Sequence, residues 1–361
     1  MDAGKIFDNL LGECVRLGAS DIHLSSDRPV VFRLHGRLQK PRETLFSCET
    51  IEAIFETIMT SRQQEDFAEK LTVDLGYTDT GGERFRLNCY REMGQPAMAI
   101  RHLDQNLLSF DQLRLPESLR QFAYLKSGLV LVTGATGSGK STTLAVLLNE
   151  INRNRDCHIM TVEDPVEFVH KSRKSLVHHR EVLTDVPSYA DAVRAFMRED
   201  PDVIMVGEMR DTETMNAAIV AAETGHLVFS TLHTGEAVGA VERFIGYFSG
   251  SEQAVARHRI SLILRAVVAQ HLLPAISGKG RVPVIELLKI NTAVASMIES
   301  SKTRQIYSVT EGGADAGMWT IDQALAKLVQ KRLVKKEDAE RICKERSTLD
   351  SLLRRSAMRS R

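Results

Sequence analysis

Eight residues, Gly134-Ala135-Thr136-Gly137-Ser138-Gly139-Lys140-Ser141, follow the apolar run Leu129-Val130-Leu131-Val132-Thr133 and precede a helix-like segment from Thr142 to Ile151. They fit G-x-x-x-x-G-K-[ST], with the strand and helix that this pattern needs on either side. This restricts the fold sharply. A strand that opens into a glycine turn and then a helix is part of a βα unit, and such units build parallel sheets covered on both faces. The same spacing implies an anion site. Small residues let successive backbone N–H groups converge on phosphates, and the helix N-terminus adds roughly half a positive charge there. Gly134 to Thr142 are therefore expected to cradle a nucleoside triphosphate. Lys140 would reach the β/γ-phosphates, and the Ser141 hydroxyl would ligate Mg²⁺.

Composition narrows the remaining choices. With 361 residues and 43% hydrophobic content, the chain can bury ordinary cores and should form about two domains. Its 47 basic and 47 acidic side chains cancel, so no global field points to nucleic acid or an anionic membrane. Five scattered cysteines without a C-x-x-C pair, and a start reading MDAGKIFDNL, suggest a reducing cytoplasm. No run approaches the ~18 apolar residues of a membrane-spanning helix, so membrane association is expected only through partners or surface charge.

Two patterns divide the chain. Ile6, Phe7, Leu10, Leu11, Cys14 and Leu17 recur at helical spacing. Strand-like segments follow at 21–24 and 30–38, a helix at 48–59, and strands again at 71–75, 84–90 and 97–101. These predict a small α/β domain over 1–103 and a linker over 104–118. From 119 to 289 apolar strands alternate with helices, as in a wound and mostly parallel sheet, and 290–361 reads as a helical region.

In such a sheet the ligand lies beyond the carboxyl ends of the strands, so residues just after each apolar run should converge. Ile159 to Val162 leads into Glu163-Asp164-Pro165, Val203 to Val206 into Gly207-Glu208, and Leu227 to Leu232 into His233. Hydrolysis needs a group that activates water and a carboxylate serving the metal. Glu163 is read as the base, because Pro165 ends its strand at once. Glu208 is read as the group that positions Mg²⁺ and water, directly or through a water. Spacing alone leaves these two roles interchangeable. His233 is expected to sense the γ-phosphate. His226 lies seven residues, roughly 23 Å, farther back along the same strand and is read as a structural or subunit-contact residue. His23 and His35 are read as satisfied structural groups.

These residues, with Thr161-Val162-Glu163-Asp164-Pro165-Val166-Glu167, Arg180-Glu181-Val182, Arg198 to Asp211 and Glu223 to Thr234, resemble the successive boxes of the type IV pilus retraction ATPases, the PilT/PilU group of secretion ATPases. Gly18 to Leu24 and Met318 to Asp322 extend the resemblance over nearly the whole chain. It implies a PAS-like N-terminal domain, a RecA-type P-loop ATPase domain and a homo-hexamer that hydrolyses ATP with Mg²⁺. Glu163 would be the catalytic acid of an Asp box, Glu208 an atypical Walker B residue and His233 part of a His box. Arg84, Arg86, Arg91 and Arg101 match arginines that the family presents from its N-terminal domain, with Arg86 and Arg101 the foremost candidates for the γ-phosphate. Arg243 matches one supplied by a neighbouring subunit.

The implied work is pilin-fibre disassembly on an inner-membrane platform protein, by a cytoplasmic enzyme peripheral to that membrane. One departure stands out: Ala293-Val294-Ala295 replaces an Ala-Ile-Arg segment, which leaves open an accessory, PilU-like paralogue dependent on a partner motor. A pilus-assembly or type II secretion ATPase is disfavoured by the missing tetracysteine zinc motif. A nucleic-acid translocase is disfavoured by zero net charge and 6% aromatic residues. The basic stretch from Arg354 to Arg361 reads as a solvated end.

Overall fold

A computed structural model of the chain describes residues 2–40 and 44–359, with side chains to residue 355. The end of the basic C-terminal stretch therefore lies outside the described residues. Contacts divide the chain into two units: Met1–Leu107 with Val162–His170 and His179–Ala192, and Leu108–Thr161 with Lys171–His178 and Val193–Arg361.

The first unit opens with helix α1 (Ala3–Leu17). The Asp2 side chain caps its start, and Gly18, at φ 64°, supplies the left-handed residue that closes it. Strands β1 (Asp21–Ser25), β2 (Val31–Leu34) and β3 (Arg37–Gln39) follow, then helices α2 (Cys48–Ile58) and α3 (Ser61–Lys70), then β4 (Thr72–Thr78), β5 (Arg84–Glu92) and β6 (Gln95–Leu103). The strands form an antiparallel sheet in the order β3-β2-β1-β6-β5-β4. Alternation along β5 turns Phe85, Leu87 and Cys89 inward and leaves Arg84, Arg86 and Asn88 on the other face. Phe7, Leu11, Ile22, Leu24 and Met98 complete this core. The apolar spacing does not predict α3, whose only buried residues are Gln63 and Phe67. A reciprocal capping box between Thr60 and Gln63 starts it.

The P-loop strand β7 (Gly128–Thr133) leads through the glycine loop into helix α4 (Lys140–Asn154). The chain continues through β8 (His158–Glu163), β9 (Leu176–Glu181), α5 (Tyr189–Phe196), β10 (Val203–Val206), α6 (Thr212–Glu223), β11 (Leu227–Leu232), α7 (Ala237–Gly246), α8 (Gln253–Ile263), β12 (Leu264–Pro274) and β13 (Arg281–Lys289). The sheet order is β13-β12-β7-β11-β10-β8-β9. β10, β11, β7 and β12 pair in parallel, and β13 returns antiparallel beside β12. Every residue of β7, β10 and β11 is buried, as expected of central strands with both faces covered. The architecture is thus the anticipated one, a PAS-like α/β unit and a RecA-type wound sheet. Helices α9 (Thr292–Glu299), α10 (Ile306–Gly312), α11 (Ile321–Gln330), α12 (Lys336–Ile342) and α13 (Arg346–Arg359) end the chain.

One carboxyl in β13 makes the second unit sensitive to pH. Glu286, 2% exposed, accepts the Ala237 N–H at the start of α7 at 2.9 Å. Burial pushes its pKa from 4.5 up to about 7. The Ala237 N–H and Lys344 oppose the rise, and Glu236 and Asp322 add to it. Tyr307 also feels the Glu286 charge. Between these values the folded chain keeps a proton that the unfolded chain has released. The stabilisation is therefore full below pH 4.5 and is lost as pH rises through 7. Glu286→Gln should flatten this decline, by on the order of 3 kcal/mol between pH 4 and 8 in urea titrations. An unchanged slope in the variant would assign the decline to other groups.

Candidate functional site

The glycines of the loop are required by its shape. Gly134, Gly137 and Gly139 have φ values of 152°, 77° and 88°, in the region that side-chain-bearing residues rarely adopt. A Cβ on Gly134 would collide with the Gln270 carbonyl and the Ser138 hydroxyl, and one on Gly139 would lie 2.8 Å from Gln270 Nε2. Lys140, 8% exposed, donates to the carbonyls of Gly134 and Ala135 at 2.9 and 3.1 Å. The Ser138 Oγ is buried without a hydrogen-bond partner among the described residues. A tight backbone cradle, a buried ammonium and an orphaned hydroxyl together fit a phosphate chain. Ser141 and Thr142 lie in the first turn of α4, so the Ser141 hydroxyl is at the position that a magnesium-binding P-loop uses.

Gln270 is the residue that sequence reading passed over. From β12 its amide donates to the Ser138 carbonyl at 2.8 Å and accepts from the Thr143 hydroxyl at 2.7 Å. It straps the loop to the first turn of α4. The available signal was one carboxamide inside the apolar run from Leu264 to Leu273.

Beside the P-loop strand, β10 and β11 carry the next two groups. Glu208 follows β10 and His233 follows β11, and their side chains meet at 2.9 Å. Glu208 also pairs with Arg210 at 2.7 Å. Burial raises the Glu208 carboxyl, but the hydrogen bonds and charges of Arg210 and His233 outweigh it and hold the group below the usual carboxylate range. It is ionised at neutral pH, as a metal-serving carboxylate must be. The loop after His233 is pinned at several points. Thr234 exchanges hydrogen bonds with Thr133 at the end of β7, and His271 contacts the Gly235 carbonyl at 2.9 Å. His226, before β11, contacts Ala221 and Thr224 within its own turn.

The first unit holds Glu163, Arg86 and Arg101. Glu163 is the last residue of β8 and is 8% exposed. Its carboxylate accepts the Glu167 N–H at 3.3 Å and lies 3.8 Å from His179. Arg86 and Arg101 stand directly opposite each other on β5 and β6. Such like-charge pairs disfavour folding unless compensated. Asp74 lies 3.5 Å from Arg86 and Asp21 2.9 Å from Arg101. Arg91 pairs with Glu52 and Arg84 with Glu181. In the second unit, the Arg243 guanidinium lies 4.8 Å over the Tyr247 ring. His23 departs from its expected role as a satisfied group. Its Nε2 is buried with no hydrogen-bond partner among the described residues, on the face of β1 opposite the core residues Ile22 and Leu24.

The family model for "Type II/IV secretion system protein" matches residues 3–354. The type IV pilus retraction ATPase PilT of Pseudomonas aeruginosa is 40% identical over 330 residues, 91% of this chain and 96% of that protein. A twitching motility protein of Neisseria gonorrhoeae is 42% identical over 311 residues, 86% of this chain and 83% of its own length. The crystal structure of the pilus retraction motor PilT with bound ADP superimposes with a TM-score of 0.86 at 40% identity, over 95% of this chain and 98% of the other. A P-loop cradle on a RecA-type sheet, joined to a PAS-like unit and matched over this length, places the chain in the type II/IV secretion system protein family.

Proposed function

We propose that this chain is an ATP-hydrolysing motor for type IV pilus retraction, acting as a homo-hexamer on an inner-membrane platform protein. The observation that carries the ATPase reading is the glycine cradle with its buried Lys140 and orphaned Ser138 hydroxyl. The retraction reading rests on the likeness to PilT and to the twitching motility protein. The same reading divides the chain into a domain at 1–103, a connector at 104–118, an ATPase core at 119–289 and a helical region at 290–361. Among the described residues no helix is long and apolar enough to cross a membrane; on this reading the chain works from the cytoplasmic side, peripheral to the inner membrane.

Each residue then has a task. The loop N–H groups from Gly134 to Thr142 and the Lys140 ammonium orient the triphosphate. Glu163 takes the proton from the attacking water. His233, hydrogen-bonded to Glu208, responds to the γ-phosphate. Mg²⁺, held by Ser141 and by Glu208 directly or through water, would neutralise charge on the phosphate oxygens. Arg86 and Arg101, with Arg243 from a neighbouring subunit, supply charge to the γ-phosphate and tie hydrolysis to domain movement.

A second reading, an accessory motor that works with a paralogous retraction ATPase, is favoured by one observation. Helix α9 carries Ala293-Val294-Ala295 and no arginine.

Lys140→Ala should abolish turnover and weaken nucleotide binding. Glu163→Gln should keep binding and lower kcat by roughly 10²- to 10⁴-fold in a phosphate-release assay. Wild-type turnover in Glu163→Gln would remove Glu163 as the base. Gln270→Ala should weaken ADP binding by about tenfold, by releasing the loop carbonyl and the Thr143 hydroxyl together. Unchanged affinity would show that the strap is dispensable. Deleting the gene should leave fibres accumulating at the cell surface, and their disappearance would make the chain an assembly motor.

A further inference from the structure

The turn carrying Glu163 is held from an unexpected direction. Val166, three residues on, has both backbone polar groups taken by the two members of one ion pair. Its N–H donates to Glu181 Oε2 at 3.1 Å, and its carbonyl accepts from Arg84 Nε at 3.3 Å. Arg84 and Glu181 also bond each other, with side chains only 15% and 8% exposed. The other Glu181 oxygen accepts the Gly76 N–H of β4 at 3.1 Å, and the remaining Arg84 nitrogen donates to Thr78 at 3.1 Å. Val182, next to Glu181, donates to the Glu163 carbonyl at 3.0 Å. Strand β4 leaves no space around the pair. A Cβ on Gly76 would lie 2.6 Å from the Glu181 carboxylate and collide with the Arg84 guanidinium.

We propose that the Arg84–Glu181 pair is a positioning clamp for the catalytic turn, holding Glu163 in place by gripping Val166 and making the turn move with β4 and β5. This rests on the reading of Glu163 as the base. It also separates Arg84 from the arginines that face the γ-phosphate, since all three of its guanidinium nitrogens are engaged here. Removing one partner of a buried pair strands the other charge and frees the Val166 backbone. The turn then loses its fixed geometry, and a displacement of about 1 Å in a catalytic group costs on the order of 100-fold in rate.

The test uses the full-length assembled protein. Arg84→Ala, Glu181→Gln and Gly76→Ala should each lower kcat by roughly 10- to 100-fold. Dissociation constants for ATP and ADP, measured in the Glu163→Gln background to prevent turnover and compared with Glu163→Gln alone, should stay within about threefold, because the loss lies in transition-state stabilisation. In that background the clamp variants should lower residual turnover no further, since a group acting through Glu163 has nothing left to position. Selective weakening of ATP over ADP by Arg84→Ala would make Arg84 a phosphate arginine and overturn the clamp. So would an additive loss of turnover in the Glu163→Gln background. If Glu163→Gln alone keeps wild-type turnover, the base assignment fails, and amide exchange across 162–170 decides the clamp separately. Faster exchange in Glu181→Gln supports it, and unchanged exchange overturns it. Glu181→Gln and Gly76→Ala carry the test if Arg84→Ala does not assemble.

Discussion

Close approach between the β12 backbone and the phosphate loop is the constraint from which the rest of the second unit follows. The Gln270 carbonyl and carboxamide press against Gly134 and Gly139 so closely that neither position admits a Cβ. That approach exists because β7 and β12 pair in parallel, with Ala269 opposite Thr133 at the mouth of the loop. The same register places β11 on the other side of β7, Leu232 beside Thr133. A single edge therefore collects the loop, the Thr133–Thr234 contact and His233.

Electrostatics then differentiates the acids. Glu208 sits between Arg210 and His233, and their combined attraction outweighs the burial that raises its carboxyl. Glu286 has a backbone N–H and a Lys344 that does not fully offset burial, and so it titrates near neutrality. The Glu163 carboxylate accepts the Glu167 N–H and lies near His179, and Val182 donates to its backbone carbonyl. These three glutamates thus have three different means of support, and the support bears on the chemistry each can perform.

Much of this was legible in the sequence because it is written in local patterns. Residues 129–142 announce strand, loop and helix through apolar content, glycine spacing and a terminal lysine. The turn at Pro165 and the polar residues after each apolar run mark the strand ends. The period-2 alternation of Arg84 to Tyr90 fixes which residues of β5 face the core. Helix α3 escaped because its cap, not an apolar stripe, defines it. The carboxamide of Gln270 meets Thr143 across 127 residues, and Arg84 meets Glu181 across 97. Neither separation has a local signature.

The sequence by itself determined most of the elements, the phosphate-binding chemistry and the inventory of acids, because each depends on residues within one strand, turn or helix of one another. Tertiary structure decided how those groups are supported: which glutamine straps the loop, which arginine bonds the turn after Glu163, and which carboxyl keeps its proton. Those outcomes depend on burial and on hydrogen-bond partners brought together by strand order, and strand order is settled only when the sheets assemble.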